Sequence, residues 1–342
     1  MTSFFRATLL YVTAAVLLTG WLHDDILQAL RDAAGFASGY LRSFGASAVY
    51  ILPVLLPLAF LYRRHISLDR LRSVFLVAIA YTLMQAGFLF FKSAIPQLVP
   101  FYADPWLAGV EHRLLFGHDA WQLAHAVTPD RLAVWFPQIY LTLWSALACA
   151  FPILVPATDP DPARRDRYLW LLLLSWLVLG NLLATAGSSV GPVYYDLVYG
   201  TDRFAGLHQA FAAGGFDTGP IARLQALLWE SSTGNISYIS AFPSMHVAMA
   251  CIAALYLRER FPRFQVLGHG FGALILLISI YSGYHYLLDG LVSLFAVLAL
   301  DAALRRHQAL AGAAPGRRAL APWRLPLRLA RTPDLDAPTQ GR

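Results

Sequence analysis

The sequence predicts an all-α integral membrane protein with about eight transmembrane helices. Of its 342 residues, 58% are hydrophobic and only 13% are charged, whereas roughly a quarter are charged in a typical soluble domain. The mean hydropathy is +0.53. Apolar segments close to the ~20 residues that cross a bilayer as a helix recur along the chain. The predicted spans are 4–22, 47–62, 73–92, 133–156, 168–187, 241–258, 266–284 and 287–304.

The first apolar segment, residues 4–22, also has the length of a signal peptide. It lacks a small-x-small cleavage site and is followed by further spans, so we count it as a span. The last segment, residues 307–342, is rich in Ala, Pro and Arg. That composition predicts a basic, disordered tail.

Arginines are concentrated in alternate loops, which predicts the orientation of the chain. They cluster in residues 63–72, 164–167, 258–263 and 305–331. By the positive-inside rule these segments, and with them both termini, lie in the cytoplasm. Contact with anionic lipid explains the basic tail, so we expect no nucleic-acid partner. The Arg- and Ala-rich composition, with a single lysine, indicates a GC-rich bacterial genome and hence a bacterial inner membrane. The sequence leaves the oligomeric state open.

Two loops on the opposite face are long enough to carry structure. In residues 102–126, Trp106, Val110, Leu114 and Trp121 recur near helical spacing among charged residues, which predicts an interfacial helix. The second loop, residues 188–240, is longer than connections in compact proteins usually are. Such loops commonly act as lids or site walls.

Two segments carry ionisable residues to this same face. "ISAFPSMHVAMA" (239–250) places His246 at the start of the sixth span, and "SIYSGYHYLLDG" (279–290) places His285 and Asp289 at the start of the eighth. Ionisable groups at a membrane boundary are costly and are candidates for function. Since the arginine distribution alone puts both segments on one face, we expect them to form one site.

The spacing within each segment has chemical content. His285 and Asp289 are four residues apart, so on a helix the carboxylate can hold one imidazole nitrogen and free the other as a nucleophile or base. Pro243 suits the first turn of a helix, and Ser244 with nearby backbone N–H groups suits a bound anion. Two imidazoles beside a phosphate can attack phosphorus and protonate the leaving oxygen. No zinc motif is present, so we expect neither metal nor cofactor.

"FPSMHVAMA" and, about forty residues later, "YHYLLDG" resemble the type 2 phosphatidic acid phosphatase superfamily, in particular its branch similar to inositol phosphorylceramide synthase. The resemblance implies that His285 is the nucleophile and forms a phosphohistidine, that Asp289 orients it, and that His246 protonates the leaving group. It also implies a six-helix catalytic core in residues 67–306, preceded by two additional helices in residues 1–66.

The sequence departs from the superfamily at its phosphate-binding cations. The superfamily has Lys, six residues and Arg-Pro before the first histidine segment, where this chain has "ATAGSSVGP" with Ala184 and Gly191 at the cation positions. Ile278 and Ser279 replace a later Ser-Arg pair. These losses, "GPVYY" and "DPWL" are typical of the inositol-phosphorylceramide-like branch.

The negative charge of a phosphoryl group during transfer must still be stabilised by other cations. Arg203 and Arg223 are the predicted substitutes, and Tyr195 is a further candidate substrate contact, with local hydrogen bonding as its alternative role. "KSAIPQLVP" repeats the missing spacing from Lys92, with Val99 for the arginine. It belongs to a different loop, and we interpret it as a coincidence.

Three functions follow from these features. The first is a phosphotransferase that moves a phospho-headgroup from a lipid donor to a hydroxyl of a lipid or glycan acceptor, with its site on the extracytoplasmic face. The second is a lipid phosphate phosphatase acting on phosphatidic acid or a polyprenyl phosphate. The third is a proton-coupled transporter, which would show an internal repeat and interrupted helices near the midplane. The branch resemblance favours the transferase.

Overall fold

The computed structural model describes residues 2–22, 67–214 and 239–313, with isolated positions 27, 31, 35, 38, 57, 222, 223, 225, 226 and 229 between them. These residues form helices and no strand. In chain order the helices are α1 (Thr2–Leu22), α2 (Leu68–Leu98), α3 (Asp104–Leu114), α4 (Ala120–Val127), α5 (Arg131–Thr158), α6 (Pro162–Ala186), α7 (Pro192–Tyr199), α8 (Ala205–Ala213), α9 (Met245–Arg260), α10 (Pro262–Tyr281) and α11 (Leu287–Ala313).

Six of these helices, α1, α2, α5, α6, α10 and α11, are long and apolar enough to cross a membrane. The protein is therefore an all-α, multi-pass membrane protein. The helix α9, which corresponds to the predicted span 241–258, has 16 residues. Apart from position 57, the predicted span 47–62 lies outside the described residues, as does most of the predicted tail. The count of eight spans stays a prediction.

The helix α9 begins four residues later than the sequence analysis predicts. Ser244 is its N-cap in extended conformation, and its hydroxyl accepts a hydrogen bond from the Val247 N–H. Upstream, the Ala241 N–H donates to the Ser189 carbonyl oxygen at 2.9 Å and the Phe242 N–H donates to Ser189 Oγ at 3.0 Å. Because these N–H groups bond to another loop, the segment before Ser244 is not helical, and Pro243 precedes the first turn.

The predicted interfacial helix of residues 102–126 is two helices, α3 and α4. The chain breaks between them at Phe116 and Gly117, which adopt positive φ angles of 55° and 89°. Asp119 and Gln122 then form a reciprocal capping box that starts α4. Hydrophobic periodicity runs through both helices, so it does not reveal this break, which depends on backbone conformation.

The helix α6 lies in the centre of the bundle, where it contacts α1, α2, α5, α9 and α11. Tyr168, Leu169, Leu172 and Trp176 are almost fully buried along it. A helix that is apolar all round is expected inside a bundle. Its neighbours bring the end of α2 and the beginnings of α9 and α11 to the same end of the molecule, which we call the histidine end.

Candidate active site

His285 and Asp289 form a bonded pair at the histidine end. Nδ1 of His285 lies 3.2 Å from Oδ2 of Asp289, in the first turn of α11, and Oδ2 also accepts the Tyr286 N–H at 3.1 Å. The His285 N–H donates to the Ser279 carbonyl oxygen at 3.2 Å. Because an ionised carboxylate only accepts, the proton belongs on Nδ1. Nε2 then carries the lone pair, and it has no hydrogen-bond partner among the described residues.

His246 lies in the first turn of α9 and is held by two aromatic rings of α5. Its ring stacks on the Tyr140 ring, with centroids 4.1 Å apart and an angle of 14° between the ring planes. Its centroid is also 4.1 Å from the centroid of the Trp144 ring. The Trp144 indole N–H donates to the His246 carbonyl oxygen at 2.9 Å. The ring centroids of His246 and His285 are 6.4 Å apart. The structure thus brings the two histidine segments together.

Both histidines border one cavity of about 410 Å³. Towards the histidine end it is lined by polar side chains that include Lys92, Ser240 and Tyr284. Further in, its walls are apolar and come from α2, α5 and α6. They include Phe88, Leu89, Leu141, Trp144 and Trp176. The cavity therefore offers a polar compartment beside the histidines and an apolar one between the helices.

Lys92, which the sequence analysis sets aside, lies in this cavity with both histidines. Its Nζ is 5.9 Å from the centre of the Phe88 ring, one turn earlier on α2. Although Lys92 belongs to a different loop from the family's cation motif, the end of α2 reaches the same cavity as the beginnings of α9 and α11. The spacing from Lys92 to Pro100 is the signal that could have identified it.

The other predicted substrate contacts lie elsewhere. The Arg203 guanidinium donates to both carboxylate oxygens of Asp119, at 2.6 and 2.5 Å. Tyr195 packs against Tyr199 and Phe204, Arg223 is exposed, and the buried Ser244 hydroxyl caps α9. None of these four predicted residues lines the cavity. Their contact with substrate stays a prediction.

Asp104, at the start of α3, organises the loop before α7. Its carboxylate accepts hydrogen bonds from the N–H groups of Val190 and Gly191 and from the hydroxyls of Tyr199 and Tyr286, all within 3.2 Å. Burial raises the pKa of this carboxyl, although the four donors oppose the shift. Tyr286 follows His285 in the chain, so its bond to Asp104 supports the segment that carries His285. The "DPWL" segment, which contains Asp104, and the "GPVYY" segment, which begins at Gly191, therefore pack together beside that segment.

Glu111, seven residues further along α3, supports the same segment. One carboxylate oxygen accepts the Ala120 N–H at 3.1 Å and the other the Leu287 N–H at 2.5 Å. Burial raises its pKa to about 7, and the Asp289 and Asp119 charges add to the shift. Glu111 therefore joins the beginnings of α4 and α11 and fixes the helix turn that carries Asp289.

Comparison with known proteins places these residues in a family. A model of the PAP2 superfamily matches residues 105–303. The chain belongs to this superfamily. Over 126 residues the chain is 25% identical to the inositol phosphorylceramide synthase catalytic subunit aur1 of Schizosaccharomyces pombe. That alignment covers 35% of the chain and only 28% of the relative. No solved structure gives a significant match. PAP2 members are phosphatases and phosphotransferases, so the chain is a member of an enzyme superfamily.

Proposed function

We propose that this protein is a lipid phosphotransferase that moves a phospho-headgroup from a lipid donor to a hydroxyl acceptor through a phosphohistidine at His285. The observation that carries the proposal is the 3.2 Å contact between His285 Nδ1 and Asp289, with the His246 ring 6.4 Å away across the same cavity. This arrangement supplies a nucleophile, a group that orients it, and an acid.

The first half-reaction breaks the bond between phosphorus and the oxygen of the lipid backbone. The lone pair of His285 Nε2 attacks phosphorus, and the leaving oxygen takes a proton from His246. Asp289 holds the His285 ring and stabilises the positive charge that it acquires. The ring centroids of the two imidazoles are 6.4 Å apart and both rings border the cavity, so both can contact one phosphate group bound there.

In the second half-reaction an acceptor hydroxyl gives its proton to His246 and attacks phosphorus, and the bond to His285 breaks. If water takes the place of this hydroxyl, the same residues catalyse hydrolysis and the protein is a lipid phosphate phosphatase. The similarity to an inositol phosphorylceramide synthase subunit favours a hydroxyl acceptor. The acceptor is a lipid or glycan.

We infer that Lys92 supplies the positive charge that the family motif provides elsewhere. Its ammonium borders the cavity that both histidines share. The N-terminus of α9, where His246 lies, adds a partial positive charge that favours an anion. Together they can neutralise the non-bridging phosphate oxygens without Arg203, which is already paired with Asp119.

The proposal includes a six-helix catalytic core in residues 67–306, with the histidine end on the extracytoplasmic face of a bacterial inner membrane and both termini in the cytoplasm. The arginine-rich beginning of α6 and end of α9 lie at the other end of the bundle from the histidines. That distribution supports the orientation, since arginines accumulate on the cytoplasmic side.

The test is to trap the intermediate. The purified protein in lipid nanodiscs is incubated with a labelled phospholipid without an acceptor, and mass spectrometry under alkaline conditions locates the adduct. We expect the label on His285, with turnover that survives EDTA. His285→Ala should abolish adduct, transfer and hydrolysis, whereas the control His118→Ala, at an exposed position of the α3–α4 connection, should leave them intact. An active His285→Ala protein contradicts the mechanism. Labelled phosphate released into water as the sole product, even when a hydroxyl acceptor is supplied in a second reaction, identifies a phosphatase.

A further inference from the structure

The apolar compartment of the cavity contains one polar side chain from α2, Gln85. Gln85 precedes Lys92 by seven residues, so the two share a face of the helix and are about 10 Å apart along its axis. A phosphate bound by Lys92 would place the first carbons of its lipid beside Gln85. This side chain is therefore in a position to contact the part of a lipid that joins headgroup and hydrocarbon.

A buried hydrogen-bond donor lies beside this acceptor. Trp176 of α6 lines the same compartment and packs against Tyr81 and Phe88, with ring centroids 6.3 and 6.4 Å away. Those two residues flank Gln85 on the same face of α2. The indole N–H and the glutamine amide therefore lie at one depth of the bundle.

Neither group has a hydrogen-bond partner within the described part of the chain. Gln85 is 9% exposed and Trp176 is 1% exposed, and both Gln85 Oε1 and Trp176 Nε1 are unpaired. Buried polar groups are nearly always hydrogen-bonded because the alternative is costly. In membrane bundles a buried glutamine usually bonds to a neighbouring helix. Here the two residues that carry the unpaired donor and the unpaired acceptor both line one cavity.

We propose that Gln85 and Trp176 bind the carbonyl-bearing linkage of the lipid donor, so that the site takes acyl lipids in preference to polyprenyl phosphates. This inference rests on the proposed function, because it assumes that the phosphate of a lipid lies near Lys92. Both esters and amides have a carbonyl oxygen that can accept the Trp176 N–H. Gln85 can accept an amide N–H or, with its terminal amide turned over, donate to a second carbonyl.

A polyprenyl phosphate has only hydrocarbon at this depth. It would leave both protein groups unmatched, and a site built to hydrogen-bond its substrate discriminates strongly against an analogue that lacks the matching group. The cavity thus selects by the chemistry of the lipid backbone, independently of the headgroup.

The test is a binding competition that needs no turnover. The full-length protein in detergent is offered phosphatidic acid, ceramide 1-phosphate and undecaprenyl phosphate, and native mass spectrometry measures the bound fractions. We expect both acyl lipids to bind at least about tenfold more tightly than undecaprenyl phosphate. Gln85→Leu and Trp176→Phe, which remove the polar atoms and keep apolar volume, should each erase most of this preference without weakening undecaprenyl phosphate binding.

A cavity variant without a polar change is the matched control. Leu89→Ala should change all three affinities by a similar factor. A larger loss for ceramide 1-phosphate than for phosphatidic acid in Gln85→Leu would show that Gln85 accepts the amide N–H, and equal losses that it donates to a carbonyl; both support the proposal. Equal binding of all three lipids by the wild type, or an undiminished preference in both variants, overturns it. An active His285→Ala protein would overturn the proposed function and leave this binding order standing.

Discussion

Charged groups are buried at both ends of the helix bundle, but they are neutralised in different ways. At the end opposite the histidines, Arg167 of α6 pairs with Glu259 of α9 and Asp301 of α11. Arg305 pairs with the same two carboxylates at 2.8 Å. We call this group the arginine end. Each carboxylate there has two guanidinium partners, and the network joins three helices.

At the histidine end, buried carboxylates are matched mainly by neutral donors. Asp104 accepts backbone N–H groups and tyrosine hydroxyls, Glu111 accepts two backbone N–H groups, and Asp289 accepts from His285. Lys92 has no carboxylate partner among the described residues and faces the cavity. The cation is thus available for an external anion.

Under the proposed function, the contrast shows how one bundle could assign stability to one end and ligand binding to the other. Charges that cancel within the protein hold helices together and leave little field for a ligand. Under the same proposal, carboxylates held by neutral dipoles position the histidines and leave Lys92 for the phosphate. Substitutions at the two ends should therefore affect different measurements.

Of the cations at the two ends of the bundle, Lys92 should have the largest effect on turnover. Lys92→Met should lower kcat/KM on the order of 10²-fold or more, because it removes a charge that is aimed at the developing phosphoryl charge. Arg203→Ala should lower kcat/KM by a smaller factor, since it mainly leaves the Asp119 carboxylate without its guanidinium partner. Steady-state kinetics of both variants on one lipid donor checks this order. The reverse order would restore Arg203 as the phosphate-binding cation.

A smaller effect should appear in the pH dependence of stability at Glu111. Its pKa rises from 4.5 to about 7 because it is buried beside Asp289 and Asp119. Between pH 4.5 and about pH 7, Glu111 keeps its proton in the folded chain and has lost it in the unfolded chain. The free energy of unfolding therefore falls as pH rises through this window. Thermal unfolding in detergent from pH 5 to 8 should show this slope in the wild type.

Glu111→Gln should flatten the same curve, because a glutamine cannot release a proton. A second acid at the histidine end, Asp119, provides the control. Burial would raise its pKa, but Arg203 and His112 lower it below its usual value, so Asp119 itself does not titrate between pH 5 and 7. Asp119→Asn should therefore keep most of the slope, reduced only by the small part of the Glu111 shift that comes from the Asp119 charge. An unchanged slope in Glu111→Gln would assign the titration to another group.

The smallest effect on turnover should come from the arginine end. Arg167→Met removes a guanidinium from Glu259 and Asp301, and breaking a buried ion pair typically costs about 3–5 kcal/mol of stability. The folded fraction should nevertheless turn over at the wild-type rate, since the substitution is remote from the cavity. Unfolding midpoints and rates per folded molecule, measured together, test this. A large fall in kcat at unchanged stability would show that the two ends are coupled.

The sequence predicts the helical membrane fold well because span length and apolarity are local properties. The histidine segments are also local: His285 and Asp289 are four residues apart, and the arginine pattern puts His246 on the same face. The position of Lys92 beside the histidines is not a local property, since it depends on which helix ends meet. Tyr140 and Trp144 look like interfacial aromatics until their stacking on His246 is known.

The conformation of Gly191 has a consequence for recognising and engineering such chains. Gly191 occupies the position of the family's arginine, and its φ angle is +82°. A Cβ atom there would lie 2.5 Å from the Tyr284 carbonyl oxygen. No side chain fits while the loop keeps this backbone, so a point substitution cannot reinstate the family signature. A motif search that requires the arginine would pass over this chain, although its cavity contains a cation on another helix. In this chain a packing contact stands where the signature residue would be, and the proposed counter-charge for the phosphate, Lys92, comes from a different part of the sequence.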